Sequence, residues 1–324
     1  MDTGLKCVRP PAKRPAAVPA LDVSVVIPTR DREGQLLRVV RGFLAQDYPA
    51  DRFEVVVSVD GSTDGTASRL AAVAAQAVVG ITVVTALAGG PAAARNRGVA
   101  RARGTIVLFV GDDTLPARDL VRRHVEAHRA HGDDLRLAVL GAAAFTRRSG
   151  RPSWMQEWMN RKHLGYAWLD AGREVSFYRF VTSNVSVKRA LLEEVGGFHE
   201  GFTAAAAEDI ELGWRLQRAG MRLFFHPEAT ADHVHPLTLG ALRRRMLATG
   251  AALHRLRSMH PEVNVLVPPG RRRLRALCTL NPVKSLCFAL VYAWSVGWTL
   301  AGWRRGARAA ARASSEFPGV PRRE

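Results

Sequence analysis

Val55-Val56-Val57-Ser58-Val59-Asp60-Gly61-Ser62-Thr63-Asp64-Gly65 is a β-branched run that stops on a carboxylate and turns through two glycines. Ile106-Val107-Leu108-Phe109-Val110-Gly111-Asp112-Asp113 repeats the design fifty residues on. Continuous apolar runs of this length, bounded by turn residues, read as strands buried on both faces. Acidic residues at the carboxyl ends of parallel strands stand where open α/β sheets bind ligands.

Working outward, strand and helix signals alternate through the first 140 residues. Val23 to Pro28 is a further buried strand, and Glu33 to Ala45 a helix. Thr63 to Ala77 reads as helix, with Asp64 and Thr66 near its start, where acidic and hydroxyl groups cap exposed N–H groups. Ile81 to Thr85 is a strand. Gly89-Gly90-Pro91 turns into a helix over Ala92 to Arg103, and a helix follows Pro116. Leu135 to Leu140 is a fifth strand. Alternation of this kind predicts an α/β domain with a mostly parallel sheet and helices on both faces. From Arg147 to Phe180 the pattern gives way to an aromatic insertion carrying Trp154, Trp158, Tyr166, Trp168 and Tyr178. Such rings suit either a sugar acceptor or the core. Asn184 to Lys188 resumes as strand, Glu208 to Ala219 as helix and Arg222 to His226 as a short strand. Leu237 to Met259 reads as a basic amphipathic helix.

The chain has 324 residues, is 47% apolar and carries a net charge of +18. That excess favours anionic partners such as nucleotide phosphates or an acidic membrane surface. The three cysteines, Cys7, Cys278 and Cys287, have no close pairing, which excludes a disulfide framework or a cysteine-zinc site and suits a reducing compartment. Residues 1–20, rich in Pro, Ala and basic side chains, read as a disordered arm without the apolar region of a signal peptide. Residues 21–260 form the main domain, 261–273 a Pro/Arg linker, 274–312 a hydrophobic helical segment and 313–324 a tail. Within that segment, Ser285 to Trp303 is uncharged, apolar and close to spanning length. Arginines flank both sides, which favours a helix lying in a cytoplasmic leaflet over a clean span; the other reading is a helix packed on the main domain.

Five pieces in order resemble the family 2 inverting glycosyltransferases, with their GT-A nucleotide-sugar fold. They are Val25-Val26-Ile27-Pro28-Thr29-Arg30, Asp60-Gly61-Ser62-Thr63-Asp64-Gly65-Thr66, Ala94-Arg95-Asn96-Arg97-Gly98, Gly111-Asp112-Asp113 and Glu208-Asp209-Ile210-Glu211-Leu212-Gly213. The resemblance covers about Val23 to Leu256. It implies transfer of a sugar from a nucleotide-diphosphate donor to a hydroxyl. Pro28, Thr29, Arg30, Asp60, Ser62, Arg95 and Asp112 are its candidate donor contacts, with Asp60 on the nucleoside base.

Arg95 and Arg97, at a helix start after a Gly-Gly-Pro turn, suit a pyrophosphate, and Gly98 suggests close backbone packing. A diphosphate leaving group calls for Mg²⁺ or Mn²⁺ on carboxylates. Asp112 is the first candidate ligand and Asp113 the second; the family's Asp-x-Asp has Val110 at its first position here. The family often adds a histidine from the region of His233 and His235; alternate spacing is expected to leave one of them facing the site. The resemblance makes Asp209, ahead of Glu208, the general base, kept ionised by its helix N-terminus. The acceptor is expected to be a glycan or lipid-linked, made for the cell envelope at the cytoplasmic membrane face.

Two other readings compete. A sugar nucleotidyltransferase would need a Gly-rich phosphate loop, which Val25 to Arg30 lacks. A basic nucleic-acid or membrane scaffold draws on Arg243, Arg244 and Arg245, but no nucleic-acid motif accompanies them, so no nucleic-acid partner is expected. His124, His128 and His131 share one helical face, read as surface, in an order that does not match a zinc protease.

Overall fold

The computed structural model describes residues 21–146, 151–263 and 296–310. Its sheet joins β1 (Val23–Thr29), β2 (Phe53–Asp60), β3 (Gly80–Ala86), β4 (Ile106–Val110), β5 (Thr114–Pro116), β6 (Leu137–Ala144), β7 (Glu174–Val175), β8 (Asn184–Lys188) and β9 (Arg222–His233). The spatial order is β3-β2-β1-β4-β8-β6-β9-β5, with β7 also on β9. β1 to β4 pair in parallel. β8 runs against both its neighbours, so β6 and β9 point the same way as β1 to β4. The result is the expected α/β architecture with a mostly parallel sheet.

Helices cover both faces because alternate strand residues point to opposite sides. Val25 and Ile27 meet Leu36, Val39, Val40 and Phe43 of α1 (Glu33–Leu44) and Leu70 of α2 (Thr66–Ala74). Leu120 and Val121 of α4 (Leu120–Ala130) join that layer. Val26, Val56 and Phe109 face the other way, into a layer with Ala92 of α3 (Pro91–Val99), Leu191 and Leu192 of α6 (Arg189–Glu194), and Leu212 and Leu216 of α7 (Glu208–Arg218). A Cβ on Gly98 would sit 2.5 Å from a Val26 methyl, so α3 lies as close to β1 as that glycine suggested. At the amino edge of the sheet Ser24 pairs in register with Glu54 and donates its hydroxyl to that carboxylate at 2.7 Å. Glu54 in turn accepts from the Arg103 backbone and guanidinium.

Two features depart from the sequence reading. β9 is twelve residues long and reaches His233, where a five-residue strand was expected. Pairing with β6 jumps from Gly141–His226 to Ala142–Thr230, so residues 227–229 are extra on β9, and the strand survives Pro227 by this bulge. The aromatic insertion forms α5 (Trp154–Met159) and short turns; Trp158 and Phe180 are buried, whereas Trp154 and Trp168 are exposed.

The second departure concerns α4. His124 and His128 are buried, not on the surface. Asn184 donates its amide to the Ala142 and Ala229 carbonyls, so its oxygen accepts from His124 Nε2 at 2.9 Å. His124 Nδ1 is then the acceptor for the Ser186 hydroxyl at 2.8 Å, and the Ser186 oxygen accepts from His128 Nε2 at 2.9 Å. Burial lowers His124 to about 4 and holds His128 well below the usual histidine range.

The region of residues 285–303 is described from 296 onward; residues 264–295 lie outside the described residues, as do 1–20, 147–150 and 311–324. A helix over 296–310, α9, packs on α8 (Leu239–Met259) through glycines. A Cβ on Gly250 would lie 1.8 Å from the Thr299 carbonyl oxygen, and one on Gly302 2.0 Å from that of Leu247. No described helix is long and apolar enough to cross a membrane.

Candidate active site

The chain builds β2 and β3 on one side of β1, then returns to place β4 on the other. The carboxyl ends of β1 and β4 therefore flank the point where the strand order reverses, the ligand crevice of such sheets. Thr29 ends β1, and its hydroxyl donates to Asp112 Oδ2 at 2.9 Å. Arg32, just before α1, donates from one nitrogen to both Asp112 Oδ1 (3.0 Å) and Asp113 Oδ2 (3.2 Å). Burial pushes Asp112 up, against the pull of Arg32 and Thr29.

The short β5 brings the histidines in. Thr114 pairs with His233, and the Val234 N–H donates to the Asp113 carbonyl at 2.9 Å. His235 Nδ1 lies 3.1 Å from Asp113 Oδ2 and His233 Nδ1 3.7 Å from Oδ1. Burial disfavours a charged Asp113, yet these two imidazoles hold it well below the usual carboxylate range. Both histidines face the site, correcting the expectation of one, because residues i and i+2 of an extended segment share a face. Phe145 packs on both rings at 5.2 and 5.1 Å. Beside them a cavity of about 150 Å³ is lined by Thr146, Arg151 and Gln156 as well as the two histidines.

One ligating atom from each of Asp113, His233 and His235 lies within 4.8 Å of the others. That donor set fits a divalent cation. Asp112, the first candidate from sequence, stands beside this trio and is held by Thr29 and Arg32 instead.

Asp60 ends β2 with its carboxylate already engaged. It accepts from the Gly89 and Gly90 amides at 2.8 and 2.9 Å and from Arg97. Ser62 accepts from the Asp31 amide, and the Asp31 carboxylate accepts from the Thr63 amide, locking the β1–α1 and β2–α2 turns together. Arg30 is exposed beside Asp31. Pro28 is half-buried one residue before Thr29.

Arg95 is buried, and its Nη1 donates to Glu208 Oε1 at 3.0 Å. The structure thus ties α3 to the start of α7, rather than aiming Arg95 at solvent. Ala207, immediately before α7, has φ 63°, a conformation alanine rarely adopts. The neighbouring Asp209 is pushed up to about 7 by burial and then by the Glu208 charge, against Arg95. The helix N-terminus does not keep it fully ionised, because desolvation and like charge outweigh a dipole worth about 0.3–1 kcal/mol.

Sequence reasoning missed Arg32. One signal was available: an arginine at a helix N-terminus opposes the helix dipole, so its placement there calls for carboxylate partners nearby.

The family description "Glycosyltransferase like family 2" matches residues 19–252. The chain belongs to this family. Among family members, it is 28% identical over 258 residues to a validoxylamine A glucosyltransferase of Streptomyces hygroscopicus subsp. limoneus, covering 68% of this chain and 54% of that protein. It is 30% identical over 257 residues to a pre-mycofactocin glycosyltransferase of Mycobacterium tuberculosis, covering 77% of this chain and 50% of that one. The chain spans about half the length of these curated relatives. The fold matches a Pyrobaculum calidifontis mannosyltransferase solved with GDP-Man and Mn²⁺, with TM-score 0.56, 23% identity, and 95% and 85% of the two chains covered. It also matches Staphylococcus aureus TarS in complex with UDP, with TM-score 0.53, 17% identity, and 90% and 92% covered. The GT-A fold expected from the family motifs is the fold observed.

Proposed function

We propose that this family 2 member is an inverting glycosyltransferase that uses a nucleoside-diphosphate sugar. The observation that carries the reading is the convergence of Thr29, Arg32, Asp112, Asp113, His233 and His235 at the strand-order reversal. These residues come from three distant parts of the sequence, and the resulting crevice suits a donor diphosphate. The Asp60-braced turn leads into the N-terminus of α3 on the donor side.

Asp113, His233 and His235 would hold the cation, and their two imidazoles favour Mn²⁺ over Mg²⁺. A cation bound there neutralises charge building on the departing diphosphate. Asp209 serves as base. The acceptor oxygen attacks the anomeric carbon, its proton passes to the Asp209 carboxylate, and the diphosphate leaves with the electron pair of the broken C–O bond. An affinity for protons centred near pH 7 suits that role. Glu208, fixed by Arg95, raises the affinity of Asp209 for protons through its charge.

The neighbours were solved with GDP-Man and with UDP, so GDP and UDP are the first ligands to try. Titration calorimetry of each, with Mn²⁺ and with EDTA, tests the reading. Binding of one nucleotide that depends on Mn²⁺ is expected; failure of both to bind would remove the donor site.

The acceptor reading, a glycan or lipid-linked hydroxyl for the cell envelope, draws support from a helix of mixed apolar and cationic exposure. Val296 and Leu300 are exposed on α9, with Arg304, Arg305 and Arg308 exposed on the same helix. An apolar and cationic helix of this kind suits the anionic cytoplasmic face of a membrane. Flotation with anionic and with neutral vesicles decides it: capture by anionic vesicles is expected, and no capture by either sinks the membrane placement.

A further inference from the structure

Arg32 has an unusual position for a cation. It is the N-cap residue of α1, where the helix dipole is unfavourable to it. A single nitrogen, Nη1, reaches one carboxylate oxygen of Asp112 and one of Asp113. The same Asp113 Oδ2 lies 3.1 Å from His235 Nδ1, so the guanidinium stands against an oxygen of the candidate cation trio. Among the described residues, no other lysine or arginine is ion-paired with either aspartate. The side chain is about half exposed, at 48%, so no packing prevents its departure. A guanidinium is also the side chain best shaped to grip a diphosphate through paired N–H donors.

We propose that Arg32 is an exchangeable counterion of the donor site. Without donor, its guanidinium neutralises Asp112 and Asp113 and holds the pair in place. When a metal-bound nucleoside diphosphate arrives, the cation on Asp113, His233 and His235 supplies the neutralising charge and the guanidinium transfers to the diphosphate oxygens. Arg32 is then a positioning residue before binding and a donor contact after it. The inference rests on the donor-site reading above.

The exchange predicts opposite signs in two measurements. Removing the guanidinium removes a positive charge that competes with the metal, so metal alone binds better. It also removes a diphosphate contact, so nucleotide binds worse. A residue with only a structural role would weaken both.

The test uses the full chain. Mn²⁺ binding is followed by electron paramagnetic resonance without nucleotide, and UDP and GDP binding by calorimetry at saturating Mn²⁺. For Arg32→Gln, Mn²⁺ affinity is expected to rise about tenfold, the effect of one like charge a few ångströms away in a well-solvated crevice. Affinity for the nucleotide that the wild type binds is expected to fall about tenfold. Arg32→Lys keeps the charge without the planar fork. It should restore wild-type Mn²⁺ affinity and leave nucleotide binding between the other two proteins, and it gives a second reading if Arg32→Gln folds poorly. Unchanged or weakened Mn²⁺ binding in Arg32→Gln, with nucleotide binding by the wild type intact, overturns the exchange alone. Absence of Mn²⁺ binding by the wild type also overturns it, while nucleotide binding in EDTA would leave the donor site standing. If neither nucleotide binds the wild type, the donor site falls and the exchange with it.

Discussion

Two polar regions of this molecule contain histidines and treat them in opposite ways. In the crevice at the carboxyl edge of the sheet, His233 and His235 face the charged Asp113 beside Arg32. Under α4, His124 and His128 hydrogen-bond to a hydroxyl and a side-chain amide, each donor matched to one acceptor, and burial, joined at His128 by the Lys188 charge, keeps both imidazoles neutral. The first region keeps its carboxylate charged; the second keeps its imidazoles uncharged. Residue type alone does not distinguish a reactive histidine from a structural one. The partners do, through whether they can accommodate a charge.

The strongest way to break this contrast is to neutralise the proposed base. Asp209→Asn should lower kcat by about 10³-fold, within the range for general bases, while nucleotide affinity and melting temperature stay near wild type. Equal loss of nucleotide binding would refute a purely catalytic role. In the wild type, kcat/KM should rise with pH through about 7, as Asp209 loses its proton. A flat profile from pH 6 to 8 argues against the assignment.

The enclosed cluster should show the reverse behaviour. His124→Leu leaves the Ser186 hydroxyl and the Asn184 oxygen without their buried partner. That should cost about 3 kcal/mol of stability, read from denaturant unfolding, with Mn²⁺ affinity unchanged. The same cluster sets an acid limit. An unfolded histidine binds a proton near pH 6.5, whereas folded His124 resists until about 4. Its contribution is therefore fully present above pH 6.5 and is lost as pH falls from there to about 4, by about 3 kcal/mol. Stability constant across that window would mean that the cluster tolerates charge after all.

The smallest effect sharpens the other side. His235→Ala should weaken Mn²⁺ binding at least about tenfold, with little change in unfolding because the ring is partly exposed at the cavity. A large fall in stability with unchanged Mn²⁺ affinity would make His235 another structural histidine.

Much of the first half was legible in sequence for a physical reason. β1, β2 and β4 are buried on both faces and so are written as largely apolar runs ending in the residues of the crevice. The second half was harder to read. β9 contains Pro227 and Glu228 and keeps its course only through a bulge, so its reach to His233 depends on pairing with β6 and β5, which no local pattern announces. The burial of His124 and His128 likewise depends on Ser186 and Asn184, about sixty residues away. Asp209 was visible as a candidate, but its affinity for protons is set by burial, Glu208 and Arg95 together.

The Ser24–Glu54–Arg103 contact at the amino edge of the sheet also bears on the chemistry at the opposite edge. β1 is apolar along both faces, and a strand of that kind has little in its pattern to forbid a slip by one residue. Ser24 supplies the missing instruction, since its hydroxyl donates to Glu54 on β2 while its oxygen accepts from the Arg103 and Gly104 amides that lead into β4, and both are met in one alignment only. Five residues further on, about 16 Å at the rise of a strand, that alignment decides whether Thr29 arrives opposite Asp112. The serine works as a ruler's zero mark: an error there would be carried undiminished to the crevice, in a sheet that could still look well packed.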